Sequence, residues 1–490
     1  MHKNHCITVA QRLRLASAMI ANDGIYGYVS QLSRENNISR QSLYTLKARG
    51  QEAMKSVFIP KQEATETRVE RAILLLFTEG HASREGIQIC LEELLGVHVS
   101  TGKISSIMHE AGQRAQEWLA EHIPAGMRDL AIDEQYSHQE AYLNIVDAHT
   151  SFVYASSPPV AVDSESWSIL FWQMQDRGLK WRVAVSDGGK AIGRSMREVT
   201  PDVIHQRDVW HVIYEYQKVQ RRIDRAVAAL HKRTPAVERN VKRVEAGKKP
   251  LGRKPKTDMR AHVLDVQRME YVATSLHYLG TELQRLLEIV VLTDQGILTS
   301  QERLEEFHAL LALFAELHEV TPSPLNKAVE KLLHHVQAAM AGLLAFCADL
   351  DAFQHKAIEQ LGGAAVHLIG WAWLHRAILE PQIADFAPAW QSVVPELFAV
   401  WNLAVRSSSA VENWHSVLRP FIAVHRSLSA DMLAILAVWH NHRLASRGLH
   451  KGLSPLIRSG LATEATDWLL ALASCEQQLG SSRELKDIAA

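Results

Sequence analysis

Three acidic side chains in separate stretches of the chain are the residues best suited to chemistry. Asp133 lies in RDLAIDEQY, Asp187 in WRVAVSDGGKAI and Glu412 in RSSSAVENWHSVLRPF. The aspartates lie at or near the ends of short apolar runs typical of strands, and the glutamate lies in a stretch typical of a helix. Carboxylates from two strands and a helix can converge on a pair of divalent metal ions that activates water or a 3′-hydroxyl against a phosphodiester. The three acids therefore predict an enzyme of nucleic-acid strand transfer.

Each acid also has a purely structural alternative. Asp133 could be an ordinary acid at a strand end, and its neighbour Glu134 is the best rival for its role. Asp187 precedes two glycines and could only shape a turn or cap the next helix. The segment SAVE fits a capping box, in which Glu412 would only bond backbone at a helix start. A carboxylate inside DLAIDEQY is costly to bury without a metal or a partner, which favours the functional interpretation of Asp133.

The length and composition indicate a globular protein of several domains. The chain has 490 residues, of which 47% are hydrophobic and 22% charged. Four scattered cysteines without a CxxC pair argue against a disulfide framework and favour a reducing compartment. The N-terminus lacks the pattern of a secretory signal and no apolar stretch reaches the length of a membrane span, so we expect a cytoplasmic protein outside the membrane. Without a P-loop GxxxxGK[ST], we expect no direct ATP binding of that kind.

The charge distribution bears on DNA binding. A net charge of −1 is low for a protein dedicated to nucleic acid, because phosphate contacts need Lys and Arg. The segment RNVKRVEAGKKPLGRKPK, however, is strongly basic, and its Arg253, Lys254 and Lys256 are candidate DNA contacts in a predicted loop. They are comparable to arms that enter the minor groove. The alternative is a solvated, flexible run of charge.

The elements that must position the acids begin at about Met127, where the hydrophobic period becomes that of strands. DLAIDEQY, AYLNIVDA and SFVYASSP predict a meander of three strands, with Asp147 in a hairpin turn. A helix follows, then WRVAVSD predicts a strand buried on both faces. After another short helix, DVIHQRDVWHVI predicts a fifth strand that leads into a helix. This β-β-β-α-β-α-β order matches the RNase H-like fold, in which the first and fourth strands are neighbours and would bring Asp133 and Asp187 together.

Helical hairpins precede this region. YVSQLSRENNISRQSLYTLKARG has helix–turn–helix spacing, with Asn36-Asn37 as the turn and Ser39 as the N-cap of the second helix. That helix would present side chains suited to base edges and phosphates: Arg40, Gln41, Ser42, Tyr44 and Lys47. A second such unit, SREGIQICLEELLGVHVSTGKISSIMHEAGQRA, carries Lys103. Both could instead be ordinary hairpins that pack a core or dimerise.

Together these features resemble a DDE transposase of the bacterial insertion-sequence type, with a core like that of retroviral integrases. The resemblance is carried by AIDE at Asp133, VSDGGKAI at Asp187, the DVWH that begins at Asp208 and SSSAVENWHSVLRPFIAVHRSLS around Glu412. It implies that Asp133, Asp187 and Glu412 are catalytic and hold two Mg²⁺ ions, with Mn²⁺ able to substitute. It also implies double-stranded DNA as partner, both element ends and target. The protein would act as a homodimer or larger oligomer, in a bacterial cytoplasm and at the nucleoid when bound to DNA.

Residues near the acids could support the ligands or contact DNA: Asp208, His211, Trp414, His415 and Arg419. On a helix begun near Ser409, His415 and Arg419 share a face with Glu412. Asp208 could also simply cap a helix, and either histidine could simply pack. Trp414 could stack on a flipped base, with a place in the core as the alternative.

The predicted architecture is an α+β multidomain protein with an N-terminal helix–turn–helix region, an RNase H-like mixed-sheet core interrupted by a large all-α insertion, and a helical C-terminus. The predicted segments are a helix–turn–helix domain over 1–60, a second helical domain over 61–125, the first part of the catalytic core over 126–215, the all-helical insertion over 216–400, the final core helices with Glu412 over 401–445, and a helical tail over 446–490.

The predicted function is a transposase that binds the ends of its mobile element, nicks them, and joins the 3′-hydroxyl to target DNA. One alternative is a catalytically inactive, transposase-derived DNA-binding regulator, although a retired enzyme has no reason to keep all three acids. The other alternative is a nuclease of RNase H fold. The helical hairpins and the large insertion favour recognition of particular DNA ends over that alternative.

Overall fold

The computed structural model describes residues 7–58, 66–137, 140–294, 296–448 and 450–473. Contacts divide the chain into two compact units, Met1–Leu76 with Glu85–Ser100 and Phe77–Arg84 with Thr101–Ala490. The predicted domain boundaries stay predictions. Of the predicted helical tail, residues 474–490 lie outside the described residues.

The first unit is helical. Its helices, two of which extend slightly beyond its bounds, are α1 (Val9–Ala21), α2 (Tyr28–Asn36), α3 (Arg40–Phe58), α4 (Glu66–Thr78) and α5 (Arg84–Leu95). Leu15, Leu32 and Leu43 belong to a small core shared by α1, α2 and α3. Between α2 and α3, Asn37 adopts a left-handed φ of 54° and the Ser39 hydroxyl accepts the amide of Ser42 at 3.1 Å. The predicted turn and N-cap are therefore confirmed.

The second unit contains the sheet. Its strands are β1 (Met127–Ser137), β2 (Glu140–Asp147), β3 (Val153–Ser156), β4 (Lys180–Ser186), β5 (Ile204–Arg207), β6 (Leu292–Thr293) and β7 (Gly296–Ile297). Its helices are α6 (Thr101–Glu121), α7 (Ser164–Asp176), α8 (Lys190–Val199), α9 (Val209–Glu245), α10 (Met259–Leu286), α11 (Ser300–Val320), α12 (Asn326–Leu361), α13 (Gly363–Leu374), α14 (Arg376–Leu379), α15 (Val394–Asn402), α16 (Ser409–His425), α17 (Ala430–His442) and α18 (Pro455–Arg458).

The main sheet has five strands in the order β3-β2-β1-β4-β5. The pairs β1–β2 and β2–β3 are antiparallel, whereas β1–β4 and β4–β5 are parallel. The protein is therefore an α+β protein with a mixed sheet, as predicted, and the first and fourth strands are neighbours. The predicted order of strands and helices is also confirmed, with strand ends shifted by one or two residues.

Helices cover the sheet because its strands are apolar. Helix α16 packs on β1 and β2, and α17 packs on β3 and on α6. Helix α12 crosses β5 closely at Gly342, where an added Cβ would lie 2.0 Å from the Gln206 Oε1 atom. A side chain at this glycine would therefore push α12 away from the sheet.

The segment between β5 and α16 forms a helical body around its own core, apart from the short β6–β7 hairpin and a 3-10 turn at Ile383–Asp385. Within the described residues, α12 alone is long and apolar enough to cross a membrane, with a mean hydropathy of 1.4 over its most apolar window. Its Leu332, Val336 and Leu343 lie in the core of the helical body. A core helix meets the same criterion, so α12 is weak evidence for a membrane span.

Candidate active site

The carboxyl ends of β1 and β4 bring two of the predicted acids together. The last parallel pair of these strands is Ala131 with Val185, and Asp133 and Asp187 each follow two residues later. Carboxyl ends of parallel strands form a common edge where ligands bind. Asp133, Glu134 and Asp187 offer carboxylate oxygens that all lie within 4.8 Å of one another.

The third predicted acid lies on helix α16, which packs on β1. Glu412 lies in the first turn of α16, and ligand atoms of Asp133, Glu412 and His415 also lie within 4.8 Å of one another. Asp133 therefore belongs to both groups and stands at the centre of a cluster of four carboxylates. We call Asp133, Glu134, Asp187 and Glu412 the acidic cluster.

The capping-box alternative for Glu412 is wrong. The N-cap of α16 is Ser408, whose side chain makes no capping bond, so Glu412 is one residue beyond the capping-box position. Its Oε2 atom lies 3.5 Å from an Arg419 guanidinium nitrogen and 3.6 Å from His415 Nδ1. The Glu412 side chain is 47% exposed and open to a ligand.

The electrostatics of the cluster centre on Asp133, which is only 8% exposed. Burial, followed by the charge of Asp187, raises the pKa of Asp133 to about 8, although the amide of Glu134 donates a hydrogen bond to its carboxylate at 2.9 Å. Burial also raises the pKa of Glu134, whose Oε1 atom accepts the Trp167 indole N–H at 3.0 Å. The protein's own side chains thus leave the carboxylates of this cluster short of neutralising charge.

The turn alternative for Asp187 describes part of its role. Its Oδ1 atom accepts the backbone amide of Gly189 at 2.8 Å, which shapes the turn between β4 and α8. This bond also fixes the direction of the carboxylate beside Asp133. Asp187 can therefore shape the turn and also belong to the acidic cluster.

A residue that the sequence analysis missed, Asn144, sets the orientation of His415. Asn144 lies directly opposite Asp133 in the β1–β2 pair. Its Oδ1 atom accepts the indole N–H of Trp414 at 3.0 Å, and an indole can only donate, so the amide orientation is fixed. Its Nδ2 atom lies 3.2 Å from His415 Nε2 and donates to it.

The proton of neutral His415 is therefore on Nδ1, the atom that faces Glu412. Burial, followed by the charge of Arg419, lowers the pKa of His415 to about 4, so the ring is neutral at pH 7. With Nε2 occupied by Asn144 and Nδ1 protonated, His415 has no lone pair for a metal. The Nδ1–H of His415 faces Glu412 at 3.6 Å, which is too far for a well-formed hydrogen bond. Trp414 is fully buried and belongs to the core.

Asp208 connects the elements that carry the acids. Its Oδ1 atom accepts the amides of Trp210 and His211 at the start of α9, at 2.7 and 3.3 Å. Its Oδ2 atom accepts the amide and the hydroxyl of Ser408, at 2.8 and 2.6 Å, just before α16. Its own amide donates to the carbonyl of Ser186 at the end of β4. Asp208 is therefore a helix cap that also holds α16 against the sheet.

His211 forms an ion pair with this cap. Its Nδ1 atom lies 3.5 Å from an Asp208 carboxylate oxygen, too far for a well-formed hydrogen bond. Asp208 nevertheless raises the pKa of His211.

The residues predicted to contact DNA lie apart from the acidic cluster in the sequence and in different elements. Arg40, Gln41, Ser42 and Tyr44 are exposed on α3. Lys47, by contrast, is turned inward and paired with Asp23, with a side chain only 16% exposed, because its position lies at the border of the buried face of α3.

Lys103 is exposed on α6, and Arg253, Lys254 and Lys256 are exposed in the loop between α9 and α10. Lys256 pairs with Asp265 at 2.6 Å. The predicted loop is confirmed, whereas DNA contact by these residues stays a prediction.

The donor set of the acidic cluster fits a hard divalent cation. Its donors are carboxylate oxygens, the ligands that Mg²⁺ and Mn²⁺ prefer. Burial, followed by the charge of Asp187, raises the pKa values of Asp133 and Glu134, and a cation would offset both effects by favouring the ionised carboxylates. No known protein-family model matches the chain, and no curated protein shows significant similarity to it. The assignment of function therefore depends on the chemistry of this site.

Proposed function

We propose that the protein is a DDE-type transposase, a metal-dependent polynucleotidyl transferase that nicks the ends of its own mobile element and joins them to target DNA. The observation that carries this proposal is the convergence of Asp133, Asp187 and Glu412 from β1, β4 and α16. The β-β-β-α-β-α-β order and the sheet order support an RNase H-like core, and the α2–α3 pair supports a helix–turn–helix DNA reader.

In this proposal Asp133, Asp187 and Glu412 hold the metal ions, and Glu134 is a further ligand within reach. Bound divalent cations would supply Lewis acidity for the attacking water or 3′-hydroxyl and for the leaving oxygen. Asp133 must lose its proton to serve as a ligand, because burial and the charge of Asp187 raise its pKa to about 8. Asn144 holds the His415 imidazole in the tautomer whose Nδ1–H faces Glu412 at 3.6 Å, so the ring is placed to stabilise the carboxylate electrostatically from the protein side.

Arg419 lies at the rim of the site. Its guanidinium is 60% exposed and lies 3.5 Å from Glu412, a distance that leaves donors for a phosphate oxygen. Arg419 would therefore bind the phosphodiester that reacts or its neighbour. No protein nucleophile is needed, since water and then the DNA 3′-hydroxyl perform the two attacks.

The experiment is an end-cleavage and joining assay with the DNA that flanks the coding sequence, in Mg²⁺ or Mn²⁺. Wild type is compared with Asp187→Asn, which keeps the size of the side chain and the bond to Gly189 but removes the charge. The matched control is Asp202→Asn, an exposed acid in the loop after α8. The proposal predicts nicked and joined products for wild type and control, and none for Asp187→Asn.

Each alternative function predicts a different outcome. DNA binding without cleavage in any divalent metal indicates the regulator. Metal-dependent cleavage without joined products indicates a nuclease. Products that persist in Asp187→Asn would contradict the proposed role of the cluster.

A further inference from the structure

Positive charge is concentrated on one side of the acidic cluster. A cavity of about 470 Å³ borders Gly188 and Gly189, the two residues that follow Asp187. Its cationic lining residues are Lys190, Arg194, Arg197 and Arg207. In the described part of the chain only Arg194 among them forms an ion pair, with Glu198 at 2.8 Å. This cavity is therefore suited to an anionic group next to the acids.

The Arg207 guanidinium lies beside the turn that follows Asp187. Gly188 has a φ of +79°, and an added Cβ would lie 1.7 Å from the Arg207 Nη1 atom, so the guanidinium occupies the space that the glycine leaves. Among the described residues, the Arg207 side chain has no hydrogen-bond or ion-pair partner. A partly buried guanidinium with unused donors is suited to phosphate oxygens.

A second basic surface continues from this cavity along α12. A groove of about 400 Å³ between α9 and α12 is lined by Lys218, Arg221, Arg222, Arg225 and Lys331. Glu215 is the acid among its lining residues, and it is paired with Lys218 at 2.6 Å. Helix α12 borders both surfaces, the cavity through Ala338 and the groove through Ala328, Lys331 and Leu332. The two basic surfaces are therefore neighbours along α12, and together they form one positive region.

Exposed aromatic rings lie at the start of α9, just after Asp208. Trp210 is 59% exposed and stacks on Tyr214, with ring centroids 5.2 Å apart and planes inclined by 8°. Lys218 lies over the Tyr214 ring at 4.2 Å. Trp210, Tyr214, Lys218 and Arg225 follow one face of α9 because they are spaced four and seven residues apart. Exposed aromatics interleaved with cations are typical of surfaces that bind nucleic-acid strands.

We propose that this region binds one DNA strand beside the acidic cluster, an inference that rests on the proposed function. We call it the basic track and define it by Lys190, Arg197, Arg207, Lys218, Arg222 and Arg225. From Ala328 to Ala338, α12 flanks the track over about 15 Å, which matches about four phosphates of a B-form strand. Phosphates lie against the cations, and a base next to the scissile phosphate stacks on Trp210. The track thus sets the direction of the strand through the site.

The test measures DNA binding by the full chain as a function of KCl. The probe is a fluorescein-labelled duplex of random sequence with a single-stranded tail, in EDTA so that no cleavage occurs. Arg222→Ala/Arg225→Ala is expected to reduce the slope of log Kd against log[KCl] by about 1.4 to 1.8, because two phosphate contacts are lost. Trp210→Ala is expected to weaken binding by about 5- to 100-fold with an unchanged slope, because stacking does not release counterions.

The matched control is Lys180→Ala/Lys356→Ala. Like the track variant, it removes two positive charges. One lies at the amino end of β4, opposite the acids, and the other lies in the C-terminal half of α12. An equal fall of the slope in track and control variants would mean that only total charge matters, and would overturn the proposal. An unchanged slope in the track variant would also overturn it. All these positions are exposed, and unchanged melting temperatures would show that the variants fold.

The experiments distinguish a failure of the basic-track proposal from a failure of the transposase proposal. If Arg222→Ala/Arg225→Ala and Trp210→Ala change DNA binding as expected but wild type cleaves no DNA in any divalent metal, the basic-track proposal stands and the transposase proposal fails. If wild type cleaves and joins while the track variants bind like wild type, the track alone fails.

Discussion

At the scale of single residues, the ionisation of Asp133 couples stability to metal binding. Its pKa of about 8 in the folded protein lies above the value near 3.9 of an unfolded chain. The folded state therefore holds more protons between these values, and the metal-free protein loses stability as pH rises through this window. Added Mg²⁺ should reverse the loss, because a cation favours the ionised carboxylate.

The corresponding variant is Asp133→Asn. We expect the metal-free variant to melt a few degrees above wild type at pH 8. The difference should be small at pH 4, where Asp133 is protonated in the folded state and about half protonated in the unfolded state. Mg²⁺ should raise the melting temperature of wild type only. The measurement is a thermal melt followed by circular dichroism, with EDTA and with Mg²⁺. A variant that melts below wild type at pH 8 in EDTA would show that Asp133 is not a source of repulsion.

Asn144 permits a test of the His415 tautomer. In Asn144→Asp the new carboxylate can still accept from Trp414 but can no longer donate to His415 Nε2, so the ring proton is drawn to Nε2 and Nδ1 turns a lone pair toward Glu412. We expect strand cleavage to fall by about 10- to 100-fold, as for other residues that orient metal ligands. The acid limb of the pH–rate profile should also move to higher pH, because the carboxylate favours protonated His415.

The control for Asn144→Asp is Ser156→Ala. It removes the hydroxyl that donates to Asn144 Oδ1 at 2.6 Å and leaves the bond to His415 in place. Cleavage close to wild type is expected for this control. A pH profile that is the same in Asn144→Asp and wild type would contradict the tautomer argument, whatever the rate.

At the scale of elements, Asp208 holds α9, α16 and the end of β4 together. Burial opposes its ionisation, but the interaction with His211 and the hydrogen bonds from Ser408 outweigh burial and hold its pKa below its usual range. Its contribution to stability is therefore present above the unfolded pKa and is lost as pH falls through the folded pKa. Asp208→Ala leaves the amides of Ser408, Trp210 and His211 without their acceptor.

We expect Asp208→Ala to lower the free energy of unfolding by about 2 to 4 kcal/mol at pH 7. The difference from wild type should shrink as pH falls through the folded pKa of Asp208, and the measurement is chemical denaturation at pH 7 and across the acid range. The control is Asp163→Ala, which removes the exposed N-cap of α7 and should cost about 1 kcal/mol. Equal losses for Asp208→Ala and Asp163→Ala would mean that Asp208 is only a cap.

The elements also show what the sequence could predict. Alternating and continuous apolar runs predicted β1 to β5 in their observed order, and the paired asparagines and Ser39 predicted the turn before α3, because these signals are local. The bond of Asp208 to Ser408 could not be predicted, since 200 residues separate the two and periodicity carries no information on such contacts. The inward turn of Lys47 toward Asp23 was missed for the same reason.

Asn144 is a missed residue that the sequence could have indicated. Once DLAIDEQY and AYLNIVDA are taken as a tight hairpin, the register places Asn144 opposite Asp133. A polar amide amid apolar neighbours, opposite a predicted site acid, is then a candidate for a supporting role. Its actual partners on α16 could not be predicted, because the position of α16 depends on packing across the long helical segment.

At the scale of the whole molecule, segregation of charge resolves the low net charge of −1. Carboxylates gather at the sheet edge, and cations gather along α8, α9 and α12 beside it. DNA binding depends on local cations and not on the average, so a neutral protein can bind phosphate strongly at one surface.

The central claim is that the acidic cluster holds the metal ions needed for DNA cleavage and joining. Its most direct test is the metal dependence of the Asp187→Cys variant in the cleavage and joining assay. A thiolate is a softer ligand than a carboxylate, and Mn²⁺ accepts sulfur more readily than Mg²⁺. We predict no product in Mg²⁺, partial recovery in Mn²⁺, and no recovery for Asp187→Ala in either metal. Equal activity of Asp187→Cys in Mg²⁺ and Mn²⁺, or recovery of Asp187→Ala in Mn²⁺, would contradict metal ligation by Asp187.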